Sequence, residues 1–366
     1  MGATDMRRRP TIVLGASGLV GQRMIQRLSH HPWFELKAVS GRSERSQQPL
    51  TEVQWRLEQQ RPELPPLRFL DTSNESFLTE LVKLGIEVAF SCLPSDAAEE
   101  IEARLAQAGI AVFSNASFYR RKQGIPLVIP DINLEHFEDF STTIGPMACG
   151  TNCTLIPMAA PLAALREYGV CEVEMRSEQA LSGAGWRLLF DEKAINGEVD
   201  PEIPGEAEKV HEEFLHVFGT RCDNVVHPAE IHVDVKCQRV ARKDGHQVFV
   251  KAKFAKPLCY EDVISAFKSQ QFDEKVSKCP SAPYQPLHVV ENIDVTQHLW
   301  SDGKVFSLQP QPSMNLQTGM AVVVGNVEIL DQYTLSFSAY SHNTIRGAAG
   351  GTMLLAEMAI SEGRIP

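Results

Sequence analysis

The sequence predicts an α/β protein of two domains, and three observations support this fold class. In the first part of the chain, short apolar β-branched runs alternate with amphipathic segments, which is typical of an open parallel sheet with helices on both faces. After residue 153 the strands become longer and alternate in polarity, which indicates an α+β domain with a mostly antiparallel sheet. The length of 366 residues also exceeds that of a typical single domain. We therefore assign residues 1–152 and 343–366 to one domain and residues 153–342 to the other.

The first element is a strand that leads into a glycine-rich turn. Thr11-Ile12-Val13-Leu14 precedes Gly15, Gly18 and Gly21, and an amphipathic segment follows from Gln22 to Ser29. In Rossmann-type folds this order of strand, turn and helix brings a helix N-terminus to a bound pyrophosphate. We therefore predict dinucleotide binding, the alternative being a glycine-rich turn with no ligand. The residues expected at the cofactor are Gly15, Ser17, Gly18, Leu19 and Val20.

The end of the second strand, Phe34–Ser40, indicates which dinucleotide binds. An acidic residue there would hold the ribose 2′-hydroxyl of NAD, but the segment reads Ser40-Gly41-Arg42-Ser43-Glu44. Arginine and hydroxyl groups suit a 2′-phosphate, so we predict NADP(H), with contacts from Ser40, Arg42 and Ser43. A solvated charged loop is the alternative, and Glu44 leaves NAD open.

Two further buried strands, 88–92 and 110–115, continue the parallel sheet on either side of a helix at Ala97–Ala108. Small polar residues follow these strands, where such folds place ligands, and we include Ser91 among the cofactor residues. Residues 47–68 are polar and rich in proline and glutamine, and they predict an irregular connection.

The second domain is predicted from alternating strands, which in chain order are Val173–Leu181, His232–Val240, Gln247–Phe254, Ala321–Val327 and Tyr333–Tyr340. Asp244-Gly245-His246 lies between the second and third of these, which predicts a hairpin. The chain closes with a glycine- and alanine-rich segment and an apolar helix, Thr352–Ile360, expected to pack back against the first domain.

Cys153, in Gly150-Thr151-Asn152-Cys153-Thr154, is the candidate nucleophile. An apolar run follows it, so we expect the thiol at a helix N-terminus, where the macrodipole favours the thiolate. The backbone N–H groups of Asn152 and Cys153 are then expected to face an oxyanion on a bound carbonyl. The alternative is that Cys153 is one of eight cysteines and only a small buried apolar residue.

Covalent chemistry at a thiol needs a base and groups that hold the substrate. His246, on the predicted tight turn, is our choice of base, although a lone histidine is more often a surface or packed residue. Arg239 suits bidentate binding of a carboxylate, and Arg120, Arg121 and Lys209 are candidates for a phosphate. Each of these cations also has the simpler interpretation of solvated surface.

Composition excludes several classes of function. The net charge of −11 argues against broad binding of nucleic acid or anionic membranes. The cysteines show no metal-site spacing, so no metal is expected, and a disulfide framework is not expected in a chain of this length. With no signal-like or membrane-length apolar segment, a cytoplasmic enzyme acting on a small molecule is expected.

An ordered set of motifs resembles the aspartate-semialdehyde dehydrogenase family, in its archaeal and fungal branch. The matching segments are Gly15–Gly21, Ser114–Ser117 with Arg120, Asn152–Thr154, Gln179–Gly185, Ile203–Glu206 with Lys209, Arg239-Val240 with Gly245-His246, and His342–Gly350. The resemblance implies NADPH-dependent reductive dephosphorylation of L-aspartyl-4-phosphate to the semialdehyde through a cysteine thioester. It also implies release of inorganic phosphate, and a homodimer or homotetramer formed through the second domain.

The resemblance also implies a role for each matching residue. Cys153 is the nucleophile, His246 the acid and base, and Gln179 orients the acyl intermediate. Arg239 binds the substrate carboxylate, Glu206 the ammonium, and Arg120 with Lys209 the phosphate, beside Asn152. Ser182, Gly183 and Asn343 are expected at the nicotinamide.

Two alternatives remain open at this stage. A related enzyme could reduce another acyl phosphate or an acyl-CoA thioester such as malonyl-CoA, although Glu206 together with Arg239 favours an amino acid. A catalytically silent NADP-binding regulator is the alternative from another class. Four intact residues argue against a silent protein: Cys153, Gln179, Arg239 and His246.

Overall fold

The computed structural model describes residues 7–140, 144–223 and 225–365. Residues 1–6 and 141–143 of the predicted first domain, together with positions 224 and 366, lie outside the described residues. The first half contains β1 (Arg9–Leu14), α1 (Leu19–Leu28), β2 (Phe34–Gly41), β3 (Phe69–Asp71), α2 (Phe77–Lys83), β4 (Val88–Ser91), α3 (Ser95–Gln107), β5 (Ala111–Ser114) and β6 (Met147–Cys149).

The rest of the chain continues with α4 (Leu155–Ala164), β7 (Val170–Gln179), α5 (Trp186–Leu189), α6 (Glu192–Ile195), α7 (Glu206–Val217), β8 (Thr220–Cys222), β9 (Val225–His227), β10 (His232–Arg239), β11 (His246–Phe254), α8 (Tyr260–Ser269), α9 (Glu274–Ser277), β12 (Leu287–Val289), β13 (Val322–Asp331), β14 (Thr334–Ser341) and α10 (Gly350–Ser361). A π-helical turn, Ile345–Ala349, leads into α10.

The first sheet is parallel throughout its described strands, in the order β3-β2-β1-β4-β5-β6. Apolar residues of α1 and α10 cover one face, and those of α2 and α3 cover the other. This confirms the Rossmann-type α/β domain. It also confirms that the last helix packs back against the first half of the chain, since Met353 and Leu354 share a core with Val13 and Met24.

The strand order reverses between β1 and β4, and open α/β sheets bind ligands outside the carboxyl ends of strands at such a point. The turn after β1 lies directly against the turn after β4. Gly15 has a φ of +69°, and a Cβ there would lie 2.6 Å from the Cys92 carbonyl oxygen. Only glycine satisfies both the positive φ and this close approach.

The second sheet has the order β10-β7-β11-β14-β13-β12 and is mixed, so the prediction of a mostly antiparallel sheet is wrong. β7 pairs parallel with β10, and β12 pairs parallel with β13, whereas β7, β11, β14 and β13 pair antiparallel in turn. The parallel pairing of β7 with β10 follows from the connection between them. It runs through three helices, and a long crossover of this kind returns the chain in its original direction.

The predicted hairpin around Asp244-Gly245-His246 is also wrong, because β7 lies between β10 and β11. The connecting segment instead crosses the end of β7. Val240 N–H donates to the Gln179 carbonyl at 3.0 Å, and Leu181 N–H donates to the Arg242 carbonyl at 2.7 Å. This crossing places the start of β11, and therefore His246, beside the end of β7.

One face of the second sheet is covered by apolar residues of α4, α7 and α8. Among the described residues, no helix has both the length and the apolar character needed to cross a bilayer.

Candidate active site

Two clefts adjoin at the carboxyl ends of the first sheet, and Leu93 lines both. The glycine-loop cleft, of about 560 Å³, is lined by Gly15, Ser17, Gly18, Arg42, Arg45, Arg56 and Trp186 among others. The thiol cleft, of about 310 Å³, is lined by residues from both halves of the chain: Val20, Asn115, Arg120, Asn152, Cys153, Ser182, Gly183, Glu206, Lys209, Asn343 and Gly347 among others. The structure thus brings together most of the residues that the sequence singled out.

Four of the predicted cofactor residues do not reach the glycine-loop cleft with their side chains. Ser40 and Ser91 are fully buried at the ends of their strands, and Leu19 is buried against Leu57 and Leu181. Ser43 lies exposed on a short 3₁₀ turn.

The residues that line this cleft without having been predicted include Arg45, Arg56 and Trp186. Arg45 and Arg56 add two cations near Arg42, and Trp186 crosses from the second half of the chain. The Trp186 indole N–H donates to the Ser17 carbonyl at 3.0 Å, and the Arg56 guanidinium lies 5.4 Å from the centre of the indole ring.

The nucleophile loop connects β6 to α4, which begins two residues after Cys153. The Asn152 side-chain oxygen accepts from Thr154 N–H at 2.7 Å and so shapes the turn into the helix. Burial, with a smaller contribution from the Glu206 carboxylate, raises the pKa of Cys153 to about 12, and the Arg120 and Arg239 cations only partly oppose this. The expected lowering of the thiol pKa is therefore wrong, because desolvation outweighs the cations and the backbone hydrogen bond that lower it.

Asn152 contacts two carboxylates of α7. Its backbone N–H donates to Glu213 Oε2 at 2.5 Å, so this N–H does not face the cleft as predicted. Its side-chain amide donates to Glu206 Oε1 at 2.9 Å. Gln179 also donates to Glu206 Oε1, at 3.4 Å, which links the end of β7 to the nucleophile loop through one carboxylate.

His246 is fully buried behind the thiol cleft. Ala180 N–H donates to His246 Nδ1 at 3.1 Å, so the proton of the neutral imidazole lies on Nε2. The Gly245 carbonyl lies near the ring but accepts from Arg242 Nε at 3.0 Å. Burial and the nearby Arg239 and Arg242 cations lower the pKa of His246 to about 3, so the ring is neutral at physiological pH. Among the described residues, Nε2 has no hydrogen-bond partner.

Because Gly183 has no side chain, Arg239 and His246 can pack closely against it. A Cβ on Gly183 would lie 2.8 Å from Arg239 Nη1 and 3.1 Å from His246 Nε2. Arg239 Nη1 donates to the Ala180 carbonyl at 2.7 Å. Asn343 holds the same turn from the other side, since its amide donates to Ser182 Oγ and accepts from Gly245 N–H, both at 2.8 Å.

Arg120 and Lys209 also line the thiol cleft. Arg120 donates to the Asn115 carbonyl at 2.7 Å and to Glu213 Oε1 at 3.2 Å, while its buried Nε has no partner among the described residues. Arg121 does not reach this cleft, because it pairs with Glu212 at the surface and lines a different cavity.

Gly347 is a site residue that sequence reasoning missed. It lies in the π-helical turn, and a Cβ there would lie only 2.6 Å from the Cys153 Cβ.

We expect Gly347→Ala to displace the nucleophile and lower kcat by about 10²-fold, since a shift of about 1 Å has that cost. Steady-state kinetics and a cofactor titration test this. The dissociation constant for NADP should stay within about twofold of wild type, and unchanged kcat would contradict the prediction.

Fold and site together define a dehydrogenase with a Rossmann-type nucleotide domain and a cysteine in the adjoining cleft. A family profile described as "Semialdehyde dehydrogenase, NAD binding domain" matches residues 11–140. The aspartate-semialdehyde dehydrogenase of Archaeoglobus fulgidus is 34% identical over 96% of this chain and 97% of its own length. That of Aspergillus fumigatus is 35% identical over the same shares of the two chains.

A crystal structure of the Candida albicans aspartate-semialdehyde dehydrogenase with NADP superposes with a TM-score of 0.79. It is 28% identical in sequence and covers 98% of this chain and 99% of its own. The chain belongs to the aspartate-semialdehyde dehydrogenase family. The resemblance to archaeal and fungal members is thereby confirmed.

Proposed function

We propose that this protein catalyses the NADPH-dependent reductive dephosphorylation of L-aspartyl-4-phosphate to L-aspartate 4-semialdehyde. The observation that carries the proposal is the thiol cleft. It is lined by Cys153, by the cations Arg120 and Lys209 and by the Glu206 carboxylate. The Arg239 guanidinium lies against Gly183, which also lines this cleft. A related acyl-phosphate or acyl-CoA reductase is the less favoured alternative, because Glu206 would then have no ammonium to bind.

The glycine-loop cleft fits a phosphorylated dinucleotide. The close contact at Gly15 leaves no room for a side chain there, and Arg42, Arg45 and Arg56 supply positive charge for a 2′-phosphate. NADPH bound there would supply the hydride. We propose that Gly15, Ser17, Gly18 and Val20 hold the cofactor, with Ser182, Gly183 and Asn343 at the end that adjoins Cys153.

In the proposed reaction, Cys153 Sγ attacks the acyl carbon, the carbon–sulfur bond forms, and the bond to the phosphate oxygen breaks. Arg120 and Lys209 hold the departing phosphate, which takes the thiol proton. Binding of the substrate ammonium to Glu206 would compensate the carboxylate that helps to raise the Cys153 pKa. Substrate binding would therefore favour the thiolate when it is needed.

His246 acts after hydride transfer in this scheme. Its Nε2–H is the only ring proton of the neutral imidazole, because Nδ1 accepts from Ala180 N–H. The Nε2–H would donate a hydrogen bond to the oxyanion that hydride transfer leaves on the former thioester carbon. The oxyanion would then re-form the carbonyl as the carbon–sulfur bond breaks, which releases the aldehyde and the Cys153 thiolate, and the thiolate would take a proton from solvent. Gln179 would orient the acyl group and Arg239 the α-carboxylate.

We further propose that residues 1–152 with 343–366, and residues 153–342, form the cofactor and catalytic domains. A homodimer or homotetramer in the cytoplasm stays a prediction. The uncovered face of the second sheet supports self-association, because it mixes Glu174 and Asp234 with Arg176 and Lys251 around the partly exposed Phe249.

The assay that tests the function is reduction of NADP with L-aspartate semialdehyde, with and without inorganic phosphate. We expect turnover only with phosphate, and a lower rate with NAD at equal concentration. Turnover with coenzyme A in place of phosphate would favour the acyl-CoA alternative. Tight NADP binding without any turnover would contradict the proposed substrate but leave the cofactor assignment in place.

A further inference from the structure

A buried carboxylate that the proposed chemistry does not use joins the two loops of the thiol cleft. Glu213 lies on α7, is 2% exposed, and directs its oxygens to two different donors. Oε2 accepts from the backbone N–H of Asn152 at 2.5 Å, and Oε1 accepts from Arg120 Nη1 at 3.2 Å. Asn152 follows β6 and Arg120 follows β5, so one carboxylate from the second half of the chain holds both loops.

We infer that Glu213 is a positioning residue that sets Arg120 and the nucleophile loop at a fixed distance from each other. The inference rests on the proposed function, in which Arg120 binds phosphate and Cys153, next to Asn152, attacks the acyl carbon. The phosphate and the attacked carbon are parts of one substrate, so the Arg120 guanidinium and the Cys153 thiol must be held at a fixed separation.

The arrangement on α7 supports this assignment. Glu206, Lys209 and Glu213 follow one another at spacings of three and four residues, so they lie on one helix face. Glu206 and Lys209 line the cleft, and Glu213, further along the same helix face, is buried. Within the described part of the chain, Arg120 has the Asn115 carbonyl as its one hydrogen-bond partner besides Glu213, so loss of Glu213 would free one side of its guanidinium.

A matched control is the residue that precedes Glu213 on the same helix. Glu212 pairs with Arg121, the neighbour of Arg120, but both side chains are about half exposed and the pair lies outside the cleft. Exposed ion pairs contribute little to stability, so Glu212→Gln should leave kinetics and folding unchanged.

The test compares Glu213→Gln, Glu213→Asp and Glu212→Gln in the phosphorylating assay. Glutamine keeps the shape but offers one acceptor instead of two, and aspartate keeps the charge but is shorter by one methylene. If Glu213 positions the loops, both of its variants should raise KM for phosphate by about tenfold or more, with NADP affinity unchanged. If only its charge mattered, the glutamine variant would lower KM for phosphate and the aspartate variant would match wild type, which would overturn the inference.

A second measurement does not depend on turnover. The loosened loop should hydrate the Cys153 thiol and lower its pKa, so iodoacetamide should label Cys153 about threefold faster or more in both Glu213 variants, as read by peptide mass spectrometry. Unchanged labelling rates would overturn the inference. Equal losses of affinity for phosphate, semialdehyde and NADP, together with a lower Tm, would also overturn it, since these indicate a purely structural role.

If the glutamine variant does not fold, the aspartate variant decides by the same criteria. Wild-type protein without phosphate-dependent turnover would instead count against the proposed function, and labelling would still test the inference.

Discussion

Cys153→Ser is expected to lower turnover by about 10⁴-fold or more while NADP binding stays near wild type. A serine hydroxyl is a much weaker nucleophile than a thiol, and His246 is not placed to activate it, because the Ala180 N–H occupies Nδ1 and the ring proton sits on Nε2. The assay is NADP reduction with semialdehyde and phosphate, together with a fluorescence titration of NADP. Activity comparable to wild type in this variant would exclude the thioester mechanism.

The labelling rate of Cys153 in the wild type gives an independent check on its environment. Because burial raises the Cys153 pKa to about 12, only a small fraction is thiolate at neutral pH. The rate of alkylation without substrate should therefore rise about tenfold per pH unit between pH 7 and 10, with no plateau. A plateau near pH 7 would show a thiol that is already activated in the free enzyme. No labelling of Cys153 at any pH would favour the silent regulator over an enzyme.

The first half of the chain was predictable because its signals are local. The strand before Gly15, the glycine turn and the helix after it are neighbours in sequence, and each β-α connection of the parallel sheet has its own pattern. Arg42 likewise follows its strand directly and lines the expected cleft.

The second sheet was mispredicted because its order depends on long-range packing. Alternation identifies a strand and its two faces, but it does not say which strand pairs with which. The turn at Gly245 looked like a hairpin, yet its residues hydrogen-bond to the end of β7 and place His246 beside Ala180.

The missed site residues depend on three-dimensional proximity in the same way. Nothing in the sequence around Gly347 reveals that it packs on Cys153. The heptad spacing from Glu206 to Glu213 is a local signal that would have placed both on one face, but not that Glu213 contacts Asn152. The thiol pKa was mispredicted for a related reason, since desolvation depends on what surrounds the loop and not on the loop itself.

His246→Asn is expected to lower kcat by about 10²- to 10³-fold, the usual cost of losing one hydrogen-bond donor to an oxyanion, with NADP affinity unchanged. Asparagine is too short to present a donor where Nε2 lies. His246→Gln, whose amide extends farther, should retain part of the oxyanion stabilisation and fall between Asn and wild type. Stopped-flow measurement of acyl-enzyme reduction compares the three proteins, and a loss confined to NADP affinity would place His246 outside the chemistry.

The tautomer of His246 decides how that loss is interpreted. Ala180 N–H donates to Nδ1, and burial with the neighbouring arginines lowers the His246 pKa to about 3, so the ring should stay neutral with its proton on Nε2 across the working pH range. Nitrogen-15 spectra of histidine-labelled protein, with His246 assigned by its absence from the Asn variant, should show an unprotonated Nδ1 and a protonated Nε2 between pH 5.5 and 8.5. A proton on Nδ1 would make the ring a base toward Cys153 at rest. His246, instead of the departing phosphate, would then accept the thiol proton when Cys153 attacks the acyl carbon.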